Sequence, residues 1–323
     1  MNKIRTLAIL AVMLQCACMG PAQAQEYPAK SIRFLVGYAA GGANDVLGRL
    51  LADSWQRQLG QSVVVENRPG ASGLLAAEAL AKSPPDGYTV MIGSGGTLTM
   101  AVHLIKAGFD PLKDIAGISL LGINDAAIVV DPKFPARNIQ DLVALAKKDP
   151  GKYAFGTSGP GGPLHLAAEL LKDRAGIAMT HIPYKGDAQG LADVMGGNLP
   201  MMFVSVPSAT SMLKSGSVRA IAVLTDRRSQ EFPDVPTVAE SGYPGYFVNQ
   251  WVGPIAPAGT PAAIIQKLNA ATRVTVADAA VVKKMAALGS RAEGGTPDDL
   301  NRLIASEFNK WGGVIRTQNI KLE

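Results

Sequence analysis

The chain has 323 residues, a formal net charge of +5, two cysteines and a hydrophobic fraction of 47%. Its basic residues are scattered, with Lys147-Lys148, Arg227-Arg228 and Lys283-Lys284 the doublets, so no stripe suited to nucleic acid forms. Both cysteines, Cys16 and Cys18, fall in an N-terminal leader, which excludes disulfide and thiol chemistry from the rest of the chain.

Residues 1–24 read as a signal peptide. Lys3 and Arg5 form a basic start, Leu7–Leu14 is apolar, and Ala22-Gln23-Ala24 is a small-x-small cleavage site. Cleavage is expected after Ala24, with release into the periplasm and a net charge lowered from +5 to +3 by loss of Lys3 and Arg5. The apolar run is too short to span a bilayer comfortably, and no later run reaches that length.

Strands and helices then alternate. Strands are predicted at Ile32–Val36, Ser62–Glu66, Tyr88–Gly93, Ile118–Val130, Tyr153–Gly156, Met179–Pro183, Met201–Ser205 and Val218–Leu224. Most are continuous apolar runs, as expected of buried parallel strands. Helices are predicted from about Asp45 to Leu59, over Ile139 to Lys148, and from about Pro163 to Arg174. Three more close the chain at about Pro261–Val276, Ala279–Leu288 and Pro297–Thr317. The pattern implies an α/β fold. Ile118–Asp131 is too long for an ordinary strand. It and Phe247–Pro257 read as crossings between two lobes, 25–123 plus 252–323 and 124–251.

Two glycine-rich turns carry the functional signal. Gly37-Tyr38-Ala39-Ala40-Gly41-Gly42-Ala43-Asn44-Asp45 and Thr157-Ser158-Gly159-Pro160-Gly161-Gly162 each join a strand to a helix. A helix start offers unpaired N–H groups and partial positive charge, and glycine admits a ligand close to that backbone. Two such turns suggest half-sites facing each other across a cleft and holding a small anion. Enzyme templates fail. Gly156-Thr157-Ser158-Gly159-Pro160 misses the last glycine of a nucleophile elbow, no Walker lysine follows either turn, and His103, His165 and His181 lack metal-ligand spacing. His165 reads equally as a ligand contact or a packing residue, His181 as structural, and Asp45 as a cap or first-turn charge of its own helix. The expectation is a binding protein, not an enzyme, with no metal and no cofactor.

Further motifs carry a family resemblance. Val65-Glu66-Asn67-Arg68-Pro69-Gly70-Ala71-Ser72-Gly73 resembles the "VENRPGAGG" signature of the Bug family, the solute receptors of tripartite tricarboxylate transporters. Pro85–Thr89, Phe109–Asp114, His181–Gly186, Pro233–Gly242, Trp251 and Ala256–Pro261 extend the match in the expected order. The resemblance implies a type II periplasmic-binding-protein fold, two lobes with two chain crossings and a ligand cleft, that captures a small carboxylate for membrane permease subunits; a monomer is expected. It assigns ligand contacts to Tyr38, Ala39, Ala40, Gly41, Gly42, Asn44 and Asp45, then to Ser94, Gly95 and Thr97. In the second lobe it points to Thr157, Ser158, Gly159, Gly161, Gly162 and His165, then to Tyr184, Gly186, Asp187 and Ser205.

Departures from the family pattern bear on the ligand. Gly162, Pro163 and Leu164 stand where hydroxyl residues are usual, Asn44 where threonine is frequent, and Val204 where aspartate is frequent. Asp187 either repels a second carboxylate, pairs with a donor on the ligand, or, the preferred reading, caps the following helix. These departures argue against a citrate-like polyanion and for a monocarboxylate with an apolar or aromatic body, or with an amine. A ligand-dependent sensor docking on a membrane kinase and an exported enzyme on the same scaffold remain alternatives.

Overall fold

The computed structural model describes residues 27–321; the leader and its cleavage point lie outside the described residues. Strands β1 (Ile32–Val36), β2 (Val63–Asn67) and β3 (Thr89–Ser94) open the chain, and β1 pairs in parallel with both neighbours. Between β1 and β2 runs helix α1 (Ala43–Leu59), ended by Gly60 in the left-handed region. Its stripe Leu47, Leu51 and Trp55 is buried, and the Trp55 ring meets Phe34 of β1 edge-on at 5.6 Å. Helix α2 (Leu74–Ala81) follows β2.

The long predicted strand over 118–130 is broken in the structure. β4 (Ile115–Gly117) and β5 (Gly122–Asn124) stay in the first sheet, and β6 (Ala126–Val130) joins the second. Asp125 sits between them. The second lobe continues through α3 (Ile139–Lys148), β7 (Ala154–Thr157), α4 (Pro163–Ala175) and β8 (Thr180–Pro183). It ends with α5 (Asp187–Met195), β9 (Met201–Ser205), α6 (Val206–Ser215) and β10 (Arg219–Val223). The chain returns to the first sheet in β11 (Gln250–Pro257), followed by α7 (Ala262–Ala277), α8 (Ala279–Ala287), β12 (Ser290–Ala292) and α9 (Pro297–Thr317). The sheets run β12-β5-β11-β3-β1-β2, with β4 also on β11, and β10-β6-β9-β7-β8.

Not every apolar strand is parallel. β11 runs antiparallel to β3, β4 and β5, and β6 runs antiparallel to β9 and β10. An unbroken apolar run reports burial on both faces and carries no information on direction. The two passages between sheets lie side by side, because Gln250 pairs with Asn124. An ion cluster holds the first of them: Arg291 Nη1 reaches Asp125 Oδ1 at 3.1 Å and its Nε reaches Glu293 at 2.7 Å. The far end of α9 is shared: Trp311, Val314 and Ile315 pack in one core with Phe155, Leu166 and Phe203 of the second lobe.

Candidate functional site: the cleft between the lobes

The two glycine turns have the same backbone plan. Gly41 and Gly161 both take a left-handed conformation, at φ +83° and +69°. Gly42 and Gly162 are the N-caps of α1 and α4, both extended and without a capping side chain. In each turn the N–H of the first glycine donates to the third helical residue: Gly41 to Asp45 Oδ2 and Gly161 to His165 Nδ1, at 2.8 and 2.9 Å. Those two side chains close the turns. Asp45 does not act as the cap of its helix, since Gly42 occupies that position.

The supports beneath the turns differ. Asp45 is buried and also accepts from Arg49 Nε at 3.0 Å and Asn67 Nδ2 at 2.8 Å. Asn67, from the Asn-Arg-Pro-Gly motif, donates as well to the Tyr38 carbonyl. Burial pushes the Asp45 carboxyl up, but the bonds from Arg49, Gly41 and Asn67 outweigh it and hold it below the usual carboxylate range. His165 instead stacks on His181, with centroids 3.9 Å apart, and His181 stacks on Phe155. Burial, then repulsion from His165, pushes His181 down to about 4. Its Nε2 lies 2.7 Å from Thr157 Oγ1. Glu169 faces His165 Nε2 at 3.5 Å and receives two bonds from Lys172.

Between the turns lies a cavity of about 420 Å³. One wall is Tyr38, Gly42, Ala43, Asn44, Ser72, Ser94 and Gly96; the opposite wall is Pro160, Gly161, Gly162 and Pro163. Asn124 and Asn249–Val252, from the two crossings, form the base, with Met100, Ala101 and Leu104 on the apolar side. No lining residue is charged. The lobes approach closely here: a Cβ added at Gly96 would lie 3.5 Å from Pro163 Cγ. A hydroxyl cluster edges the first wall. The Tyr38 hydroxyl lies 3.2 Å from Ser94 Oγ and 2.9 Å from Thr97 Oγ1, and Thr97 donates to the Ser72 carbonyl.

The structure brings six of the sequence-named residues, Tyr38, Gly42, Asn44, Ser94, Gly161 and Gly162, around the cavity. The others fall outside its lining. Ala39, Ala40 and Gly41 are exposed, and the Gly41 N–H is occupied by Asp45. Gly95 lies beneath the Trp251 indole, where a Cβ would come within 2.8 Å of Nε1. Thr97 and Thr157 are wholly buried, Thr157 bonding the Gly159 carbonyl. Ser158 is exposed, Gly159 lies in the bend of the loop, and His165 closes its turn. Tyr184 packs in the second-lobe core and donates to Asp193 at 2.8 Å. The preferred reading of Asp187 as a helix cap is corrected: Gly186 is the N-cap, at φ 138°, a conformation open to glycine. Asp187 is the first helical residue and accepts from Ser205 Oγ at 2.6 Å.

Ser72, Asn124, Asn249, Gln250 and Trp251 line the cavity and were missed. Ser72 belongs to a motif already in view, and its φ of 55° marks a special turn. The crossing residues had a signal too: polar Asn249-Gln250 directly before an apolar run is unusual for a buried strand.

Comparison with known proteins agrees with this architecture. Residues 47–320 match the family described as tripartite tricarboxylate transporter family receptor. The chain is 36% identical to BugT of Bordetella pertussis over 326 aligned positions, covering 100% of both chains. Among solved structures it resembles an R. palustris protein with adipate, at 32% identity, TM-score 0.74, and coverage of 92% of this chain and 99% of that one. It also resembles MatC from Rhodopseudomonas palustris with bound malate, at 29% identity, TM-score 0.71, and coverage of 90% and 100%. With the family match spanning most of the chain and both lobes reproduced in those structures, the protein belongs to the receptor family of the tripartite tricarboxylate transporters.

Proposed function

We propose that this receptor holds one carboxylate of a small organic acid on the start of α1 and closes the second lobe over the rest of the ligand. The observation that carries the reading is the uncapped N-terminus of α1 at the cavity wall. Its first three helical N–H groups, on Ala43, Asn44 and Asp45, have no intrahelical acceptor and no capping side chain, and Ala43 and Asn44 line the cavity. The hydroxyl-bearing Tyr38 and Ser94, whose oxygens lie 3.2 Å apart, line the same cavity. Charge-assisted hydrogen bonds contribute about 1.5–3 kcal/mol each, so three or four support micromolar binding, which needs about 8 kcal/mol after association costs.

The uncharged lining favours a single carboxylate with an apolar, aromatic or hydrogen-bonding body over a citrate-like polyanion. Adipate and malate in the related structures support an organic acid as the ligand class. The protein acts without catalysis or cofactor, as a monomer in the periplasm after cleavage at Ala24, and delivers its ligand to the permease subunits of a tripartite tricarboxylate transporter. Its lobes are residues 25–123 with 252–323, and 124–251; the strand passages at Asp125 and before Gln250 support this division to within two residues, and the end of α9 packs on the second lobe. Calorimetric titration with a panel of mono-, di- and tricarboxylates, preceded by native mass spectrometry of freshly purified protein, tests the reading. A co-purified monocarboxylate, or one binding more tightly than citrate, is the expected result; binding of citrate above all others rejects it.

A further inference from the structure

The base of the cleft is chemically unfinished. Asn124 Oδ1, Asn249 Oδ1, Gln250 Nε2 and Trp251 Nε1 are buried and have no hydrogen-bond partner. They are four of the eight such side-chain atoms among the described residues, and all four residues line the cleft. Register explains the grouping: Gln250 sits opposite Asn124 across the two crossing strands, and Trp251 opposite Ile123. Asn249 and Trp251 are almost fully enclosed, at 6% and 0% exposure. Buried polar groups are nearly always satisfied in native structures, and a cluster of exceptions in one cavity wall needs an explanation.

We infer that the crossing strands form a second ligand subsite, which takes an uncharged group able both to donate and to accept hydrogen bonds, such as a hydroxyl or a carboxamide. The inference rests on the carboxylate reading above, with the acid group at α1 and the neutral group at the crossings. Two orphaned acceptors and two orphaned donors suit a group of mixed character. A second carboxylate offers only acceptors, and an ammonium only donors. Neither charge would find a partner, because no lining residue is ionised and the neighbouring Asp125 is engaged by Arg291 at 3.1 Å. Asn124 and Gln250 also stand at the two passages between the sheets, so a ligand held there touches both connections between the lobes.

A matched ligand series tests this by calorimetry. Hexanoate, ω-hydroxyhexanoate, adipate monoamide, ω-aminohexanoate and adipate share one frame and differ in the terminal group; the same set on butanoate and octanoate frames covers other lengths. On the best-fitting frame, the hydroxyl or carboxamide acid should bind at least tenfold more tightly than the methyl-ended, ammonium-ended and two-carboxylate acids. Which neutral group binds more tightly identifies the one preferred. Gln250→Met and Asn249→Leu should each lower the affinity of the hydroxyl or carboxamide acid at least fivefold more than that of the methyl-ended acid, with thermal melting to confirm folding. Equal affinity for methyl and neutral polar ends, tightest binding of the diacid or amino acid, or indifference to both substitutions overturns the subsite while leaving the carboxylate reading intact. Failure of every acid to bind rejects both.

Discussion

The two glycine turns share a backbone and differ in nearly everything hung on it. In the first, a buried carboxylate closes the turn and is itself held by Arg49 and Asn67; in the second, an imidazole closes it and rests on a stack of His181 and Phe155. The first helix starts with three free N–H groups. The second begins with Pro163, which has none, so only Leu164 and His165 remain, and neither lines the cavity. In the proposed reading, one local fold serves as an anion anchor in one lobe and as a mostly apolar, shape-setting wall in the other. The charge of Asp45 does not spoil the anchor, because Arg49 at 3.0 Å balances it.

The largest test of this asymmetry removes the side chains that close the turns. Asp45→Ala strips one buried acceptor from Gly41, Arg49 and Asn67 together, and should cost about 3 kcal/mol of stability and most carboxylate affinity. His165→Ala removes one hydrogen bond and a stacked ring, and should cost about 2 kcal/mol while altering ligand preference more than carboxylate affinity. Urea denaturation and calorimetry measure both. Equal losses of affinity would mean the two turns are equivalent anchors.

Acid should separate the lobes next. His181 titrates at about 4 in the folded protein against an ordinary 6.5, so the unfolded chain binds more protons between these values. The stability contributed by neutral His181 is therefore complete above about 6.5 and is lost as the pH falls to about 4, a total of about 3 kcal/mol. Asp45 has a lowered pKa, so its contribution is lost only below the ordinary carboxylate range. Hydrogen exchange at mildly acid pH should show the second lobe opening before the first, and His181→Gln should remove the difference. Simultaneous opening in the wild-type protein would contradict it.

How much of this was legible in the sequence follows from the kind of signal each feature leaves. The turns were visible because glycine is written where φ must be positive, and α3 (Ile139–Lys148) because its apolar stripe through Leu142, Val143 and Ala146 is regular. Helix α2 (Leu74–Ala81) was overlooked because Leu-Leu-Ala-Ala-Glu-Ala-Leu-Ala is apolar on most faces and shows no stripe. Strand direction was hidden because burial alone shaped the composition of β6 and β11. The base of the cavity was hidden for a different reason: Asn124 and Gln250 meet only through pairing across the crossings, a contact between distant segments that no local pattern encodes. Asp187 misled because aspartate is a strong cap in general, while here the residue before it is a glycine able to take φ 138°.

Gly41→Ala and Gly161→Ala give a smaller contrast. Both place a Cβ at positive φ, at a cost of about 1–2 kcal/mol each, so their stabilities should fall by similar amounts. Their binding should not. Shifting the first turn moves the Ala43 and Asn44 N–H groups and should weaken a carboxylate roughly tenfold, whereas shifting the second should matter about half as much in free energy. Equal affinity losses, or none in either variant, would remove the first turn from its role as anchor.

The smallest expected effect is also the most direct way to erase the difference. Pro163→Ser restores the missing N–H at the first position of α4 and adds a hydroxyl at the cavity wall, making the second turn resemble the first. Proline at that position pre-sets the helical φ, so its loss should cost under about 1 kcal/mol of stability. The new donors face the ligand end that the wild-type wall meets with carbon. A diacid should gain several-fold in affinity through charge-assisted bonds, offset partly by the looser loop, and a methyl-ended monoacid should gain nothing. If the monoacid gains equally, the proline acts only by limiting how far the lobes close, at the point where Gly96 and Pro163 approach each other, and the chemistry of the second wall is not what selects the ligand.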